Sequence, residues 1–340
     1  MTKDLDWGHL PFSYIKTNGS IRCSYKNGVW GDIQTSAEET INLHMAATCL
    51  HYGQECFEGM KAYRGKDGKV RIFRWEENAR RIQRSAAHIL MPEIPEQLFR
   101  DMLIQAVKLN EEFVPPFGTG ATLYIRPLLI GTSAQVGLNS ATEYLFIIFV
   151  TPVGPYFKGG FSPVDLLIDR RYDRAAPLGT GKIKIGGNYA ASLKAAKGAK
   201  EQGYSAVLYL DPKEKQYIDE CGPANFFAIK GNKYITPESS SVLPSITNMS
   251  LQDLAKHLGF EVEKRPVHIS ELSTFDEVGA CGTAAVVSPV GNIDDPEMNM
   301  KYRYALDGKP GKVSTQLYHL LTGIQFGEEE DIFGWVTIVE

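Results

Sequence analysis

Between residues 151 and 163 the chain reads TPVGPYFKGGFSP, with three prolines and three glycines in thirteen positions, directly after the apolar run Tyr144–Val150. Proline lacks the amide that a helix or strand interior uses, and glycine loses the most entropy when it is ordered there. The stretch therefore reads as a boundary. It cuts 340 residues into two comparable pieces, each long enough to bury a core. The expected organisation is a small N-terminal α+β domain over 1–152, an interdomain linker over 153–163 and a large C-terminal domain over 164–340.

Before the boundary, β-branched and aromatic stretches at Ile21–Tyr25, Val70–Phe73, Ala121–Gly131 and Tyr144–Val150 read as strands. Two 3.6-period patterns, Asn78–Ile89 and Glu96–Phe113, read as helices. Beyond it come strand Val164–Ile168, helix Asn188–Gln202, strands Ala206–Leu210, Asn225–Ile229 and Lys233–Ile235, helix Ser245–Leu258, strands Glu261–Val267 and Ala284–Pro289, and helix Ser314–Phe326. The helix ending at Leu258 is the best signalled: Ile246, Leu251, Leu254, Ala255 and Leu258 form one stripe, and Gly259 follows as its C′ residue. Strands and helices mix without regular βαβ alternation, which points to α+β in both domains.

Several function classes fall away. Lys+Arg 36 against Asp+Glu 40 leaves a net charge of −4, with no basic excess to draw nucleic acid or anionic lipid. The longest apolar run, Tyr144–Val150, is far short of the roughly 20 residues that span a bilayer, and Met1–Leu10 has no apolar h-region. Five cysteines (Cys23, Cys49, Cys56, Cys221, Cys281) include no CxxC pair, which suits a reducing cytoplasm better than a disulfide framework. His44, Cys49, His51 and Cys56 match no zinc spacing, so no metal is expected. The glycines at Gly179, Gly181, Gly186 and Gly187 build neither a Walker A loop, since Lys182 is followed by Ile183, nor a dinucleotide fingerprint, since Lys184 stands where a third glycine belongs.

The same segment is more informative for the lysine inside it. Lys184 lies between Ile183 and Ile185. An ammonium held off water among apolar groups loses stabilisation of its charged form, which makes the neutral amine available for Schiff-base chemistry. The other reading is an exposed strand lysine alternating with inward isoleucines, and spacing alone leaves both open. Such a lysine implies pyridoxal phosphate, whose ring nitrogen needs a carboxylate. Glu220, just beyond a strand in the turn-like stretch IDECGPAN, is a candidate, with a surface hairpin acid as the alternative. A phosphate would find amides at the helix start Leu243–Thr247, or at the turn Gly282–Ala284.

Taken together these residues resemble the branched-chain aminotransferases, PLP enzymes of fold type IV. Five segments match in order from about Phe12 to the C-terminus: YGQECFEGMK (Tyr52–Lys61), NARRIQRS (Asn78–Ser85), YIRP (Tyr124–Pro127), KIGGNY (Lys184–Tyr189) and EVGACGTAAVVSP (Glu277–Pro289). The resemblance implies two α+β domains with pyridoxal 5'-phosphate between them, and a ping-pong exchange of amino groups between L-leucine, L-isoleucine or L-valine and 2-oxoglutarate. It makes Lys184 the catalytic lysine. Tyr189 would bond the cofactor's phenolic oxygen, Glu220 would hold the pyridinium proton, and Asn225 would join the cofactor shell. Arg81, in register four residues before Ser85, would bind the phosphate with the amides of Ile246 and Thr247 and the hydroxyl of Thr283.

On the substrate side the resemblance implies walls from Phe12, Tyr52 and Phe57, with Leu138 and Tyr52 contributed by a second subunit of a homodimer. Tyr124 and Arg126 would meet the γ-carboxylate of glutamate, and the turn amides of Thr283 and Ala284 the α-carboxylate. Tyr156 and the linker would close as a lid. Three departures from the family pattern stand out: Pro223 replaces a hydroxyl residue, Cys281 precedes the Gly-Thr-Ala turn, and Ala285 and Ser288 stand where animal relatives carry a CxxC, so no thiol switch is expected there. A D-amino acid aminotransferase or an aminodeoxychorismate lyase would keep the lysine and glutamate, but those relatives are shorter and lack YIRP.

Overall fold

A computed structural model describes residues 3–156, 161–305 and 307–340. They group into two compact units: 1–156 with Ile183–Gly186 and Gly323–Glu340, and 157–182 with Gly187–Thr322.

The first unit is built on an antiparallel sheet. Its strands are β1 (Ser20–Lys26), β2 (Val29–Trp30), β3 (Gln34–Ser36), β4 (Glu55–Phe57), β5 (Met60–Arg64), β6 (Val70–Phe73), β7 (Thr122–Gly131) and β8 (Tyr144–Val153), and the last strand of the chain, Val336–Val339, completes the sheet by pairing with β6. The central path runs β6-β5-β7-β8-β1, with β4 on β7 and β3 on β1. Alternation fixes what each face carries. Met60, Ala62, Ile72, Leu123, Ile125 and Leu129 point into the core. Against them pack helices α1 (Trp75–His88) and α2 (Glu96–Leu109), through Ala79, Ile82 and Ala86 and through Phe99, Met102, Leu103 and Ala106, all at helical spacing. Each large side chain buried there stabilises the fold by roughly 1.5–3 kcal/mol. The intervening residues Phe57, Lys61, Tyr124 and Arg126 fall on the opposite face of the sheet, and that is where the polar chemistry lies.

The second unit closes a sheet on itself. Strands β9 (Val164–Ile168), β10 (Ala206–Leu210), β11 (Ile218–Cys221), β12 (Ala224–Lys230), β13 (Lys233–Pro237), β14 (Glu261–Arg265), β15 (Glu277–Gly282) and β16 (Val286–Asp295) pair in the order 11-10-9-16-15-12-13-14, and β11 also pairs with β12. That extra pairing makes a six-stranded ring and covers the edge that β11 would otherwise leave open. Val164, Leu166, Ile168, Leu208, Leu210, Phe226, Ala228 and Ile293 fill it. Leu167, Val207 and Tyr209 face outward onto Ala195 and Ala199 of helix α3 (Gly186–Glu201). Helix α4 (Ile246–His257) starts at Ser245, whose side chain caps Asn248 N–H, and a last helix covers Lys312–Phe326.

The α+β class is the one expected. The division is not as simple as a single cut at 153–163. Ile183 and Ile185 are buried in the first unit's core and the C-terminal strand extends the first unit's sheet, so two pieces of the expected C-terminal domain belong with the N-terminal one. Strand β8 runs to Val153, past the start of the Pro/Gly stretch, because Thr122–Val153 and Leu123–Pro152 still pair. Residues 157–160 of the expected linker and lid lie outside the described residues.

Candidate active site

In the first unit Lys184 lies on an irregular segment just before α3, not on a strand. Its N–H donates to Ser85 Oγ at 3.0 Å, and Phe57 N–H donates to its carbonyl at 3.1 Å. Its Nζ stands 4.7 Å from the centre of the Phe57 ring. Burial pushes the amine down to about 8, assisted by the charge of Arg81 and opposed by that of Glu58. Lys184 is thus neither on a strand nor exposed, while Ile183 and Ile185 on either side of it are buried in the core.

Arg126 sits over the same ring, with Cζ 4.7 Å from the Phe57 centre and 5.2 Å from that of Tyr124. Its Nη2 donates to Tyr124 Oη at 2.9 Å, while its buried Nε has no hydrogen-bond partner. An orphaned donor on a planar cation is the kind of group that waits for an anion. Gly59 has no Cβ where Tyr124 Oη lies, so the hydroxyl fits against the backbone. Phe12 meets Tyr124 edge-on at 5.3 Å, and Tyr156 meets Phe12 at 5.3 Å. Phe12, Phe57, Tyr124 and Arg126 thus lie together on these contacts. Tyr52 and Leu138, expected from a second subunit, are exposed in the single chain, at 42% and 81%, and the Tyr52 hydroxyl donates to the Val136 carbonyl.

Arg81 is buried, and its fork is engaged by a residue the sequence did not single out. Glu58 accepts from Arg81 Nε at 2.6 Å and Nη2 at 2.7 Å, and from Asn78 Nδ2 at 2.7 Å. Burial pushes the Glu58 carboxyl up, but the Arg81 charge and hydrogen bonds outweigh this and hold it below the usual carboxylate range. Glu55 also went unread: its carboxylate accepts the N–H of Gly186.

In the second unit Glu220 is not in a turn. It lies within β11, only 1% exposed, because the β11–β12 hairpin turns later, at Gly222-Pro223. Cross-strand pairing sets Glu220 beside Asn225, and Asn225 beside Cys281, in one row on one face. Leu243 N–H donates to Glu220 Oε1, and Arg174, unread in the sequence, places Nε 3.2 Å from Oε2. Arg174 Nη1 also donates to the carbonyls of Gly181 at 2.7 Å and Ser241 at 2.5 Å. Asn225 donates to the Leu243 carbonyl at 3.0 Å and accepts from Asn248 at 3.1 Å. Ile246 and Thr247 open α4, where helix geometry gives their amides no intrahelical acceptor. Thr283 and Ala284 form the β15–β16 turn, and Tyr189 is half-buried in the first turn of α3. Burial raises the thiols of Cys221 and Cys281, so both stay protonated and inert.

The first unit thus carries an amine of lowered basicity, and the second, by itself, a buried carboxylate and a helix start rich in amides, each a kind of group that a phosphorylated pyridine aldehyde can use; the described residues hold no cluster suited to a metal ion. The comparisons agree with that chemistry. Residues 55–293 match the family model described as amino-transferase class IV. The branched-chain-amino-acid aminotransferase of Haemophilus influenzae is 48% identical over 99% of this chain and 100% of its own length. The crystal structure of the Escherichia coli branched-chain amino acid aminotransferase superposes with a TM-score of 0.81 at 28% identity, covering 96% of this chain and 100% of that one. The Thermobaculum terrenum enzyme in its PLP form gives 0.76 at 26% identity, over 95% of this chain and 99% of that one. The chain belongs to the class IV aminotransferases and, within them, to the branched-chain-amino-acid aminotransferases.

Proposed function

We propose that the chain uses pyridoxal 5'-phosphate to exchange the amino group of L-leucine, L-isoleucine or L-valine with 2-oxoglutarate, giving the branched-chain 2-oxo acids and L-glutamate. The observation that carries this reading is the Lys184 amine, depressed to about 8 and held on a ring that it shares with Arg126. When bound, the cofactor supplies an aldehyde for amino exchange and a ring that accepts electrons from the substrate Cα. Lys184 Nζ is then the base: burial lowers its pKa to about 8 and so favours the neutral amine, ready to take the Cα proton and return it.

In the second unit Glu220, paired with Arg174, would hold a proton on the ring nitrogen, and Asn225 would fix the loop at Leu243 beside it. Tyr189 would donate to the phenolic oxygen, and the amides of Ile246 and Thr247 with the Thr283 hydroxyl would meet the phosphate. The amides of Thr283 and Ala284 would take the substrate α-carboxylate. In the first unit Arg81 would add its charge toward the phosphate. Phe12 and Phe57 would enclose a branched side chain, and Arg126 with Tyr124 would accept the carboxylate of glutamate in the same space. A homodimer would add Leu138 and Tyr52 from the partner copy. Five free cysteines support a cytoplasmic setting.

The experiment is direct. Purified protein given pyridoxal phosphate should develop a visible absorption band that Lys184→Ala abolishes, and should convert L-leucine and 2-oxoglutarate to products. A colourless preparation overturns the cofactor reading; a preference for D-alanine over L-leucine overturns the substrate assignment.

A further inference from the structure

Lys184 is gripped through its backbone as well as through its surroundings. Ile183 and Ile185 are sunk into the first unit's core, at 5% and 9% exposure, and Ser85 and Phe57 bond the two polar backbone groups of Lys184. One further contact completes the hold. The Glu55 carboxylate accepts the N–H of Gly186, and a Cβ at position 186 would collide with that carboxylate, so glycine there is what admits it. Glu55 and Phe57 flank the fully buried Cys56 on β4. A strand of three residues thus delivers both a main-chain amide and a carboxylate to the same segment.

We propose that Glu55 is a positioning residue for Lys184: its side chain, at the reach of a glutamate, ties the 184–186 segment to β4 and fixes the direction in which the amine projects. This rests on the reading of Lys184 given above. Ser85 and Phe57 fix the backbone on either side of the Lys184 Cα, and Glu55 fixes the next peptide but one, which governs the entry into α3. A base that must take and return a proton at one carbon loses rate when its direction drifts, even if substrate still binds. The tether therefore acts on turnover and leaves substrate affinity alone.

Reach and charge can be separated at this position. Glu55→Gln keeps the length and a carbonyl acceptor but drops the charge. Glu55→Asp keeps the charge but falls one methylene short. The holoenzyme variants are compared in kcat and KM for L-leucine, and in the pH midpoint of the visible band of the lysine-bound cofactor. Glu55→Asp and Glu55→Ala should lower kcat about tenfold, leave KM within about twofold and move the midpoint by about half a pH unit. Glu55→Gln should stay within about threefold of the wild type with its midpoint unmoved. Equal behaviour of the Asp and Gln variants, or impairment of Gln alone, overturns the tether, and this pair decides the matter even if Glu55→Ala does not fold. Lys184→Ala separates the two levels: a band that survives it removes the Lys184 reading itself, whereas a band that vanishes while Asp and Gln behave alike removes only the role of Glu55.

Discussion

Glu58 and Arg81 stand 0% and 5% exposed, and each accounts for the burial of the other. A carboxylate without solvent is tolerable only when its oxygens are satisfied, and here Arg81 Nε, Arg81 Nη2 and Asn78 do so. Glu58→Gln should leave a buried cation without its counter-charge and lower unfolding stability in urea by about 3–5 kcal/mol; a loss below about 1 kcal/mol would mean that solvent screens the pair. The pH dependence has a definite sign. Because the folded carboxyl lies below its ordinary value of 4.5, its stabilisation is present above that value and is lost as pH falls through the folded one. The wild type should therefore lose more stability on acidification than Glu58→Gln does. Arg126 makes a different prediction. In the proposed role its unpartnered Nε would serve an anion that leucine does not carry in its side chain, so Arg126→Gln should raise KM for glutamate about ten- to hundredfold and for leucine under about threefold, measured side by side. Lys184 draws notice through its two isoleucine neighbours, which are adjacent in the chain, though they leave its role open until the KIGGNY resemblance. Glu58 could not be read, since its partners lie 20 and 23 positions away and a glutamate before a glycine looks like a solvated loop acid.

Helix α1 carries Asn78, Arg81 and Ser85 on one buried face, so a single rigid element orients the cation proposed for the phosphate and the acceptor for the Lys184 amide. Helix α4 performs the corresponding task in the second unit through its first turn. Ser245 accepts Asn248 N–H at 3.2 Å, and Met249 N–H is taken by the Ser245 carbonyl, which leaves the amides of Ile246 and Thr247 for a ligand. Ser245→Ala should cost about 1 kcal/mol of stability. It should also speed pyridoxal phosphate loss on dialysis, because a frayed first turn no longer presents those amides together; retention equal to the wild type would argue that the phosphate is held elsewhere. Both helices were legible because an apolar stripe repeats at 3.6 residues over at least three turns. β4 and β11 were not. β4 is only three residues long, and IDEC in β11 looks like a turn until tertiary burial overrides the propensity of Asp219 and Glu220, which lie at 1% exposure each.

At the scale of the molecule, no pattern in the sequence announces that Val336–Val339 returns to pair with Val70–Phe73, or that Ile183–Gly186 belongs to the first unit. Such pairings join residues more than a hundred positions apart and are selected by burial, with no local signature. The same holds for what covers the surface. Met45, Leu50, Tyr52, Val136 and Leu138 are 86%, 59%, 42%, 78% and 81% exposed on two loops, the first carrying the short helix Thr48–His51, joined by the Ala47–Ala134 bridge and by the Tyr52 hydroxyl on Val136. Scattered exposed apolar residues need no explanation, but five on two linked loops make a patch that water disfavours. A second copy of the chain is the occupant that the proposed homodimer supplies, with Leu138 carried to the partner's substrate. Val136→Asp combined with Leu138→Asp should therefore leave the fold and the visible band intact while converting a dimer into a monomer by light scattering. It should also raise KM for leucine, because the partner's wall is gone. A wild type that is monomeric at micromolar concentration with full activity would show that the loops serve no second subunit, and that the substrate pocket is closed by residues of one chain alone.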